Sequence, residues 1–340
     1  MPPEWAPQAA TLLVWPRAGG DWGPDLPPAR DALAAMAAAL AAAQDVILIA
    51  ADAECRSSIR AHPDLSGLPD ERLRIADIPA NDIWVRDTGP VTLLDGDGGR
   101  RFLDFRFDGW GGRHPSADDD ALTARLHAAG TLGAGRLVRR DWVLEGGSIE
   151  VDGAGSLLTT ERCLLHGRRN PGLDRAAVEA RLRTDLGVDR VLWLRHGHLE
   201  GDDTDSHVDT LVRFAGPGHI VHQGCADPDD PHHAPLAAMA DELAALATAD
   251  GGRYRLTRLP LPAPQFDADG RRVPAGYANF LLGNGLILAP AYDDPADAEA
   301  HALLADCFPG RRLVAVDCRA LIRQNGALHC AAMQIPRGDT

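Results

Sequence analysis

Residues 201 to 223 read GDDTDSHVDTLVRFAGPGHIVHQ, and the unit they open decides the fold. Val208 to Gln223 sets β-branched and apolar residues on both sides of Gly216 to Gly218, which predicts a two-stranded hairpin. Pro235 to Thr248 then has the spacing of an amphipathic helix, and Tyr254 to Leu261 reads as a single strand. The order is hairpin, helix, strand. Ahead of the hairpin stand His207 and Asp209, two residues apart, so in an extended segment both side chains leave one face and Val208 leaves the other. The apolar run that follows predicts that this pair stands at the start of a buried strand. Two other readings compete: carboxylates scattered over an acidic protein, and a cation held by Asp202, Asp203, Asp205, His207 and Asp209.

The same order recurs along the chain. Val91 to Phe107 predicts strand, glycine-rich turn, strand; Asp118 to Ala129 is helical, and Arg136 to Arg139 leads a strand towards Trp142. Ser148 to Thr160 is a hairpin around Asp152 to Gly155, followed by a helix at Asp174 to Leu186 and a strand at Val191 to Leu194. Ala278 to Pro290 turns at Gly283 to Gly285, with a helix at Asp297 to Asp306 and a strand at Arg312 to Val316. Four copies at a spacing of roughly 60 residues fall in the range of repeated supersecondary modules. A fifth forms only by joining the chain ends. Leu328 to Ile335 and Thr11 to Trp15 would make its hairpin, the alanine-rich run Pro28 to Ala43 its helix, and Asp45 to Ala50 (DVILIA) its last strand. Radial repetition of this kind closes into a propeller with few exposed sheet edges, whereas alternating α and β elements alone would equally suit an open doubly wound sheet. No low-complexity linker interrupts the order, so residues 1–340 are expected to form one domain.

Composition narrows the setting. A chain of 340 residues that is 45% hydrophobic can bury a large core. Its formal charge of -15 argues against nucleic acid and is compatible with a small cationic partner. The six cysteines form no CxxC pair and no regular short spacing, so neither a zinc site nor a disulfide framework is indicated, and a reducing compartment fits best. The first residues lack a basic patch leading into an apolar run, and no apolar stretch approaches membrane-spanning length. Both point to the cytoplasm.

Each module is preceded by polar or reactive letters at the same relative position: NDIWVRDTGP (Asn81 to Pro90), LEGG (Leu144 to Gly147), SHVD (Ser206 to Asp209), YAN (Tyr277 to Asn279) and LHC (Leu328 to Cys330). In a radial arrangement such positions converge on the axis, so Asp87, Glu145, His207, Asp209, Asn279 and Cys330 could share one cavity. A thiolate there would be the nucleophile and needs a base or a lowered pKa. His207 can protonate a leaving group and then deprotonate water. Carboxylates beside the cysteine would hold its proton on unless something positive lay between them. A planar guanidinium supplies that charge and pairs with two carboxylates.

NDIWVRDTGP, FRFDGWGG (Phe105 to Gly112), LEGGSIEVDGAGSLLTTERCLL (Leu144 to Leu165), SHVD, YANF and LHC, in this order and over nearly the whole chain, resemble the agmatine deiminase family. That family belongs with bacterial peptidylarginine deiminases among the guanidine-modifying five-bladed α/β propellers, the pentein fold. The resemblance implies a covalent amidino intermediate on Cys330, His207 as acid and base, and Asp87 and Asp209 gripping the guanidinium. It places Trp84 and Trp110 near the substrate passage and Asn279 beside the nucleophile, and it requires no metal or organic cofactor. Glu145 is a further substrate-binding candidate, with Asp203 or Asp205 for the distal amine of agmatine. Arginine, methylarginine and peptidylarginine are alternative substrates; a homodimer is a family-level expectation.

The chain departs from the family pattern in places. Ser206 replaces a glycine, Gln324, Asn325 and Gly326 replace a run of three glycines, and Glu150 stands where the agmatine branch commonly has histidine. Plainer roles also exist for the named residues. Asp87 beside Arg86 suits an ion pair, Trp84 and Trp110 suit a core wall, Glu145 suits backbone amides, and Asn279 suits local backbone groups. Cys163 reads as core. His196, His198, His232 and His233 read as solvated, with no third ligand at metal-site spacing.

Overall fold

A computed structural model describes residues 1–338, and their strands form five small sheets. Four sheets share one plan: two antiparallel strands of a hairpin, then a parallel third strand. They are Val91–Leu94, Arg100–Arg106 and Arg136–Val143; Glu150–Val151, Ser156–Thr160 and Arg190–Leu194; Val212–Gly216, His219–Gln223 and Arg255–Leu259; and Leu281–Gly283, Leu286–Ala291 and Arg312–Asp317. A parallel neighbour demands a crossover connection. The helices Arg175–Leu186, His233–Ala245 and Ala296–Cys307 provide it. In the first of these sheets the helix expected at Asp118 to Ala129 is broken into Ala117–Asp120 and Leu122–Ala128. Asp119 and Asp120 there accept from the backbone N–H groups of Asn81 and Phe107, each at 2.7 Å, bonds that compete with a continuous helix.

The fifth sheet unites the two ends of the chain. Ala332–Pro336 pairs antiparallel with Gln8–Val14, which pairs parallel with Asp45–Ala50. The helix Leu26–Ala41 crosses between the last two, burying Ala29, Leu33, Met36, Ala37 and Leu40 at helical spacing. A fourth strand here, Leu73–Asp77, and the helix Ala53–Ala61 before it were not expected. That strand reads LRIAD and is mostly half-exposed or exposed, so it carries no apolar signature.

One local expectation fails. His207 and Asp209 do not stand on a strand; Val208–Thr210 is a 3₁₀ turn and the strand begins at Val212. Asp205 and Ser206 hold φ of 64° and 63° just before it. The turn, not the pleat, brings the two side chains together. Two of the other hairpins are led in likewise, by the helical turn Val85–Thr88 and the 3₁₀ turn Gly146–Ser148.

These lead-in segments close into a ring. Arg86 N–H donates to the Cys330 carbonyl at 3.1 Å, and Gly147 N–H donates to Asp87 Oδ1 at 2.9 Å. His207 Nε2 lies 3.4 Å from Glu145 Oε2, Asn279 Nδ2 donates to the Asp209 carbonyl at 3.2 Å, and His329 N–H donates to the Asn279 carbonyl at 3.2 Å. Five segments far apart in sequence thus surround one axis.

Candidate active site

Gly147 marks the point where the ring is tightest. A Cβ on this residue would lie 2.6 Å from His207 Nδ1, 2.9 Å from Asp87 Oδ1 and 3.0 Å from Asp209 Oδ2. The absence of a side chain at Gly147 therefore makes room for three reactive groups to meet.

Cys330 lies beside them, 7% exposed. Its Sγ is 3.2 Å from Asn279 Nδ2 and 3.7 Å from Asp209 Oδ2. Asp209 is fully buried; its Oδ2 contacts His329 Nδ1 at 2.7 Å, while its Oδ1 has no hydrogen-bond partner. Asp87 accepts from Gly147 N–H through Oδ1 and from Trp110 Nε1–H through Oδ2, both at 2.9 Å, and Oδ1 is 3.6 Å from His207 Nδ1. Trp110 makes its contact from a left-handed conformation, φ 56° and ψ 51°. Backbone of that kind, costly for a bulky residue, persists where its surroundings hold it. Here Phe107 packs edge-on at 4.9 Å between centroids and Arg113 donates to the Trp110 carbonyl at 2.7 Å.

Glu145 sits behind His207 and does not border the cavity. Its two carboxylate oxygens accept from Arg169 Nε at 2.8 and 2.7 Å, so it orients and charges the imidazole and is not placed to touch substrate. Arg169 also bonds Asp205 at 2.6 Å, and Arg113 grips Asp205 bidentately at 2.8 Å. Asp205 is thereby committed to two arginines, whereas Asp203 lines the cavity. Asp202 accepts from the N–H groups of Thr204 and Ser206. The cation site considered for Asp202 to Asp209 does not form, because these acids point to different partners. Glu145, Cys163 and His207 do lie close enough to share an ion, yet Arg169 already supplies the positive charge at Glu145. Cys163, expected as core, is fully buried, with Sγ 3.8 Å from Glu145 Oε2.

The electrostatics follow from burial and charge. Burial and the charges of Asp209 and Asp87 push the Cys330 thiol well above its ordinary value, and the Asn279 contact opposes them. Burial likewise raises Asp87, with Glu145 and Asp209 adding to it. His207 is moved the other way by burial, but Asp87 and its other neighbours outweigh that and hold the imidazolium well above the usual range. Asp209 stays below the usual carboxylate range because the His329 hydrogen bond and charge overcome its burial. These surroundings favour the thiol over the thiolate at Cys330 and the imidazolium over the neutral ring at His207.

Above the sulfur opens a cavity of about 370 Å³. Trp84 and Trp110 form its walls, and Asp21, Asp82, Asp203, His114, Arg271 and Arg323 surround its mouth. Asp82 is pushed up to about 6, chiefly by burial and further by Asp21 and Asp203. Arg323 pairs with Asp25, and Arg271 with Asp267 and Asp269. Of the three residues replacing the family's glycines, Asn325 takes φ 68° in the left-handed region that glycine visits most easily and asparagine tolerates. Gly326 is needed for space, since a Cβ there would overlap the Trp84 ring. Glu150 accepts from Arg213 Nε at 3.0 Å and from Phe214 N–H at 3.1 Å, an internal ion pair outside the cavity.

The whole chain is similar to known deiminases. An agmatine deiminase of Stutzerimonas stutzeri is 37% identical over 358 residues, spanning 99% of this chain and 95% of its own length. One of Pseudomonas aeruginosa is 36% identical with the same coverage. Among solved structures, a Porphyromonas gingivalis protein provisionally assigned as an arginine deiminase has TM-score 0.91 and 43% identity, with 99% of this chain and 98% of that one covered. A C. jejuni agmatine deiminase with substrate bound has TM-score 0.90 and 32% identity, with 99% and 96% covered. The model of the Porphyromonas-type peptidyl-arginine deiminase family matches residues 1–336. With that match over almost its full length, the expected five-bladed pentein fold and the ring of acids, histidine and cysteine, the chain belongs to the Porphyromonas-type peptidyl-arginine deiminase family.

Proposed function

We propose that this protein hydrolyses agmatine to N-carbamoylputrescine and ammonia through a covalent Cys330 intermediate. The observation that carries the reading is the buried Asp209 carboxylate, whose Oδ1 has no partner while its Oδ2 lies 3.7 Å from Cys330 Sγ. Leaving such an oxygen unpaired is costly, and the N–H groups of a guanidinium satisfy it while Asp87 takes the other side.

Binding that cation also reverses the electrostatics around the thiol. The two acids that hold the proton on Cys330 are neutralised by the guanidinium, so the thiol gives its proton to solvent and the thiolate forms as substrate arrives. The thiolate adds to the guanidinium carbon, His207 gives its proton to one nitrogen, and ammonia leaves as the C–N bond breaks. The remaining carbon carries the sulfur, one amino group and the substituted nitrogen. Water then attacks as neutral His207 takes one of its protons, the C–S bond breaks, the oxygen's second proton passes to solvent, and the ureido product leaves with the thiolate restored. Asp87 and Glu145 stabilise His207 in its charged form, and Arg169 keeps Glu145 ionised.

The mouth favours a cationic tail. Asp21, Asp82 and Asp203 crowd one another there, and an ammonium would relieve that repulsion. Arginine is the second reading, because Arg271 and Arg323 also line the mouth and could meet a carboxylate; both, however, are engaged by aspartates. The six cysteines are unpaired, which suits a reducing cytoplasm. Among the described residues no helix is long and apolar enough to cross a membrane. The test is a panel of agmatine, arginine, methylarginine and peptidyl arginine, followed by ammonia release and detection of the ureido product. Agmatine should have the highest kcat/KM; a panel without any ureido product would end the proposal.

A further inference from the structure

We propose that Glu4 and His329 are positioning residues for this reaction: a buried chain of contacts running from the N-terminal segment through the His329 ring holds Asp209 charged and turned towards Cys330. The inference rests on the deiminase reading above. Neither residue borders the cavity, yet each is tied to the group that grips the guanidinium.

The geometry is continuous. His329 Nδ1 is 2.7 Å from Asp209 Oδ2, and its Nε2 is 3.0 Å from Glu4 Oε2. Ionised carboxylates only accept, so a ring that bonds one at each nitrogen donates from both. The imidazole is thus a cationic link between two acids. Its root is fixed as well, because His329 N–H donates to Asn279 Oδ1 at 3.0 Å. Glu4 is anchored by Leu282 N–H at 2.6 Å to Oε1 and by the Arg213 guanidinium at Oε2. Gln8 Nε2 holds its carbonyl at 2.9 Å. All of these side chains are 8% exposed or less, so water does not screen the chain.

The link has a consequence for Asp209. With Oδ2 occupied by His329, Oδ1 is the oxygen left for substrate. Burial alone would hand Asp209 a proton; the His329 bond and charge reverse this, with His207 and Arg213 adding to it. Asp87 and Cys330 face the same carboxylate from the other side. Glu4 in turn is faced by Arg213, His329, Arg86 and Glu150, and its carboxyl lies well below the ordinary range because the cations outweigh its burial. Without the link, Asp209 takes up its proton at a higher pH and the guanidinium loses one of its two anionic partners.

The experiment compares full-length wild type, Glu4→Gln, Glu4→Asp and His329→Gln, measuring kcat and KM with agmatine across acid to alkaline pH. Both neutral variants should lose kcat/KM by up to about 10²-fold at neutral pH. Their acid limb should move up by about one pH unit, and Glu4→Asp, which keeps the charge, should recover most of the wild-type profile. A second readout needs no turnover: alkylation of Cys330 by iodoacetamide, read by peptide mass spectrometry, should quicken at a fixed acidic pH in both neutral variants, because a protonated Asp209 no longer holds the proton on the thiol. If wild type releases no ammonia from any guanidine, the deiminase reading fails, and the alkylation profile still tests the link. Should Glu4→Gln not fold, His329→Gln carries the test. An unshifted acid limb and an unchanged alkylation rate, or equal behaviour of the Gln and Asp variants of Glu4, would overturn it.

Discussion

In the floor, the buried layer at and beneath the base of the cavity, Asp87, Glu145, His207, Asp209 and His329 are each 7% exposed or less, and each touches another charged group. At its mouth, Asp203, His114, Arg271 and Arg323 have side chains between 38% and 76% exposed. The two regions obey different electrostatics. Buried charges act at close range in a weakly polarisable medium, so displacing one is felt by all. Charges at the mouth act through water and salt, so each contributes little. The floor therefore determines that the reaction occurs at a guanidinium carbon, and the mouth determines which guanidine reaches it.

The largest expected break in this contrast is Cys330→Ala. It should lower ammonia release from agmatine by on the order of 10⁶-fold, with the thermal melt close to wild type. His207→Gln comes next and should cost about 10²–10⁴-fold in kcat, read by the same assay. Arg169→Met tests the floor through stability. It would take from buried Glu145 its guanidinium partner and leave only the longer His207 contact, lowering stability by about 3–5 kcal/mol in chemical denaturation.

A smaller effect concerns pH. Since burial and two acids raise the Cys330 thiol, its alkylation by a neutral haloacetamide in the free protein should keep rising with pH above neutrality, with no plateau near the usual thiol range. A cationic haloacetamidine, which brings its own charge to Asp87 and Asp209, should react faster at the same pH. The smallest effect belongs to the mouth. Asp203→Asn should raise KM for agmatine by no more than about fivefold, and added salt should erase the difference, whereas the losses on the floor should persist in salt.

The same division governs what was legible in the sequence. The module of hairpin, helix and strand shows itself through apolar runs and glycine turns, and the reactive letters ahead of each hairpin mark the floor. The local backbone was harder to read. His207 and Asp209 converge because Asp202 accepts from Ser206 N–H at 2.6 Å and bends the chain into a turn, and a side-chain bond of this kind has no periodicity. Glu4, Arg169 and Arg213 were missed because their partners lie far along the chain: Glu4 with Arg213, Glu145 with Arg169. In the sequence His329 stands out only as the middle letter of LHC, beside Cys330. Glu145 and Asp205 carried the right chemistry but the wrong target, since the arginines that claim them cannot be paired from a single sequence. The mouth was least legible; Asp21, Asp82, Arg271 and Arg323 come from loops that occupy no shared position in the repeat.

The central claim is that a sulfur on this ring bonds to the carbon of a guanidinium held by Asp87 and Asp209. Rapid acid quench of the wild-type protein during turnover of agmatine, followed by peptide mass spectrometry, tests it most directly. The account predicts that the peptide bearing Cys330 gains the mass of agmatine less one ammonia, and that Cys330→Ala gains nothing and releases no ammonia. Ureido product formed at the wild-type rate by Cys330→Ala, with no adduct on the wild-type peptide at any quench time, would contradict it.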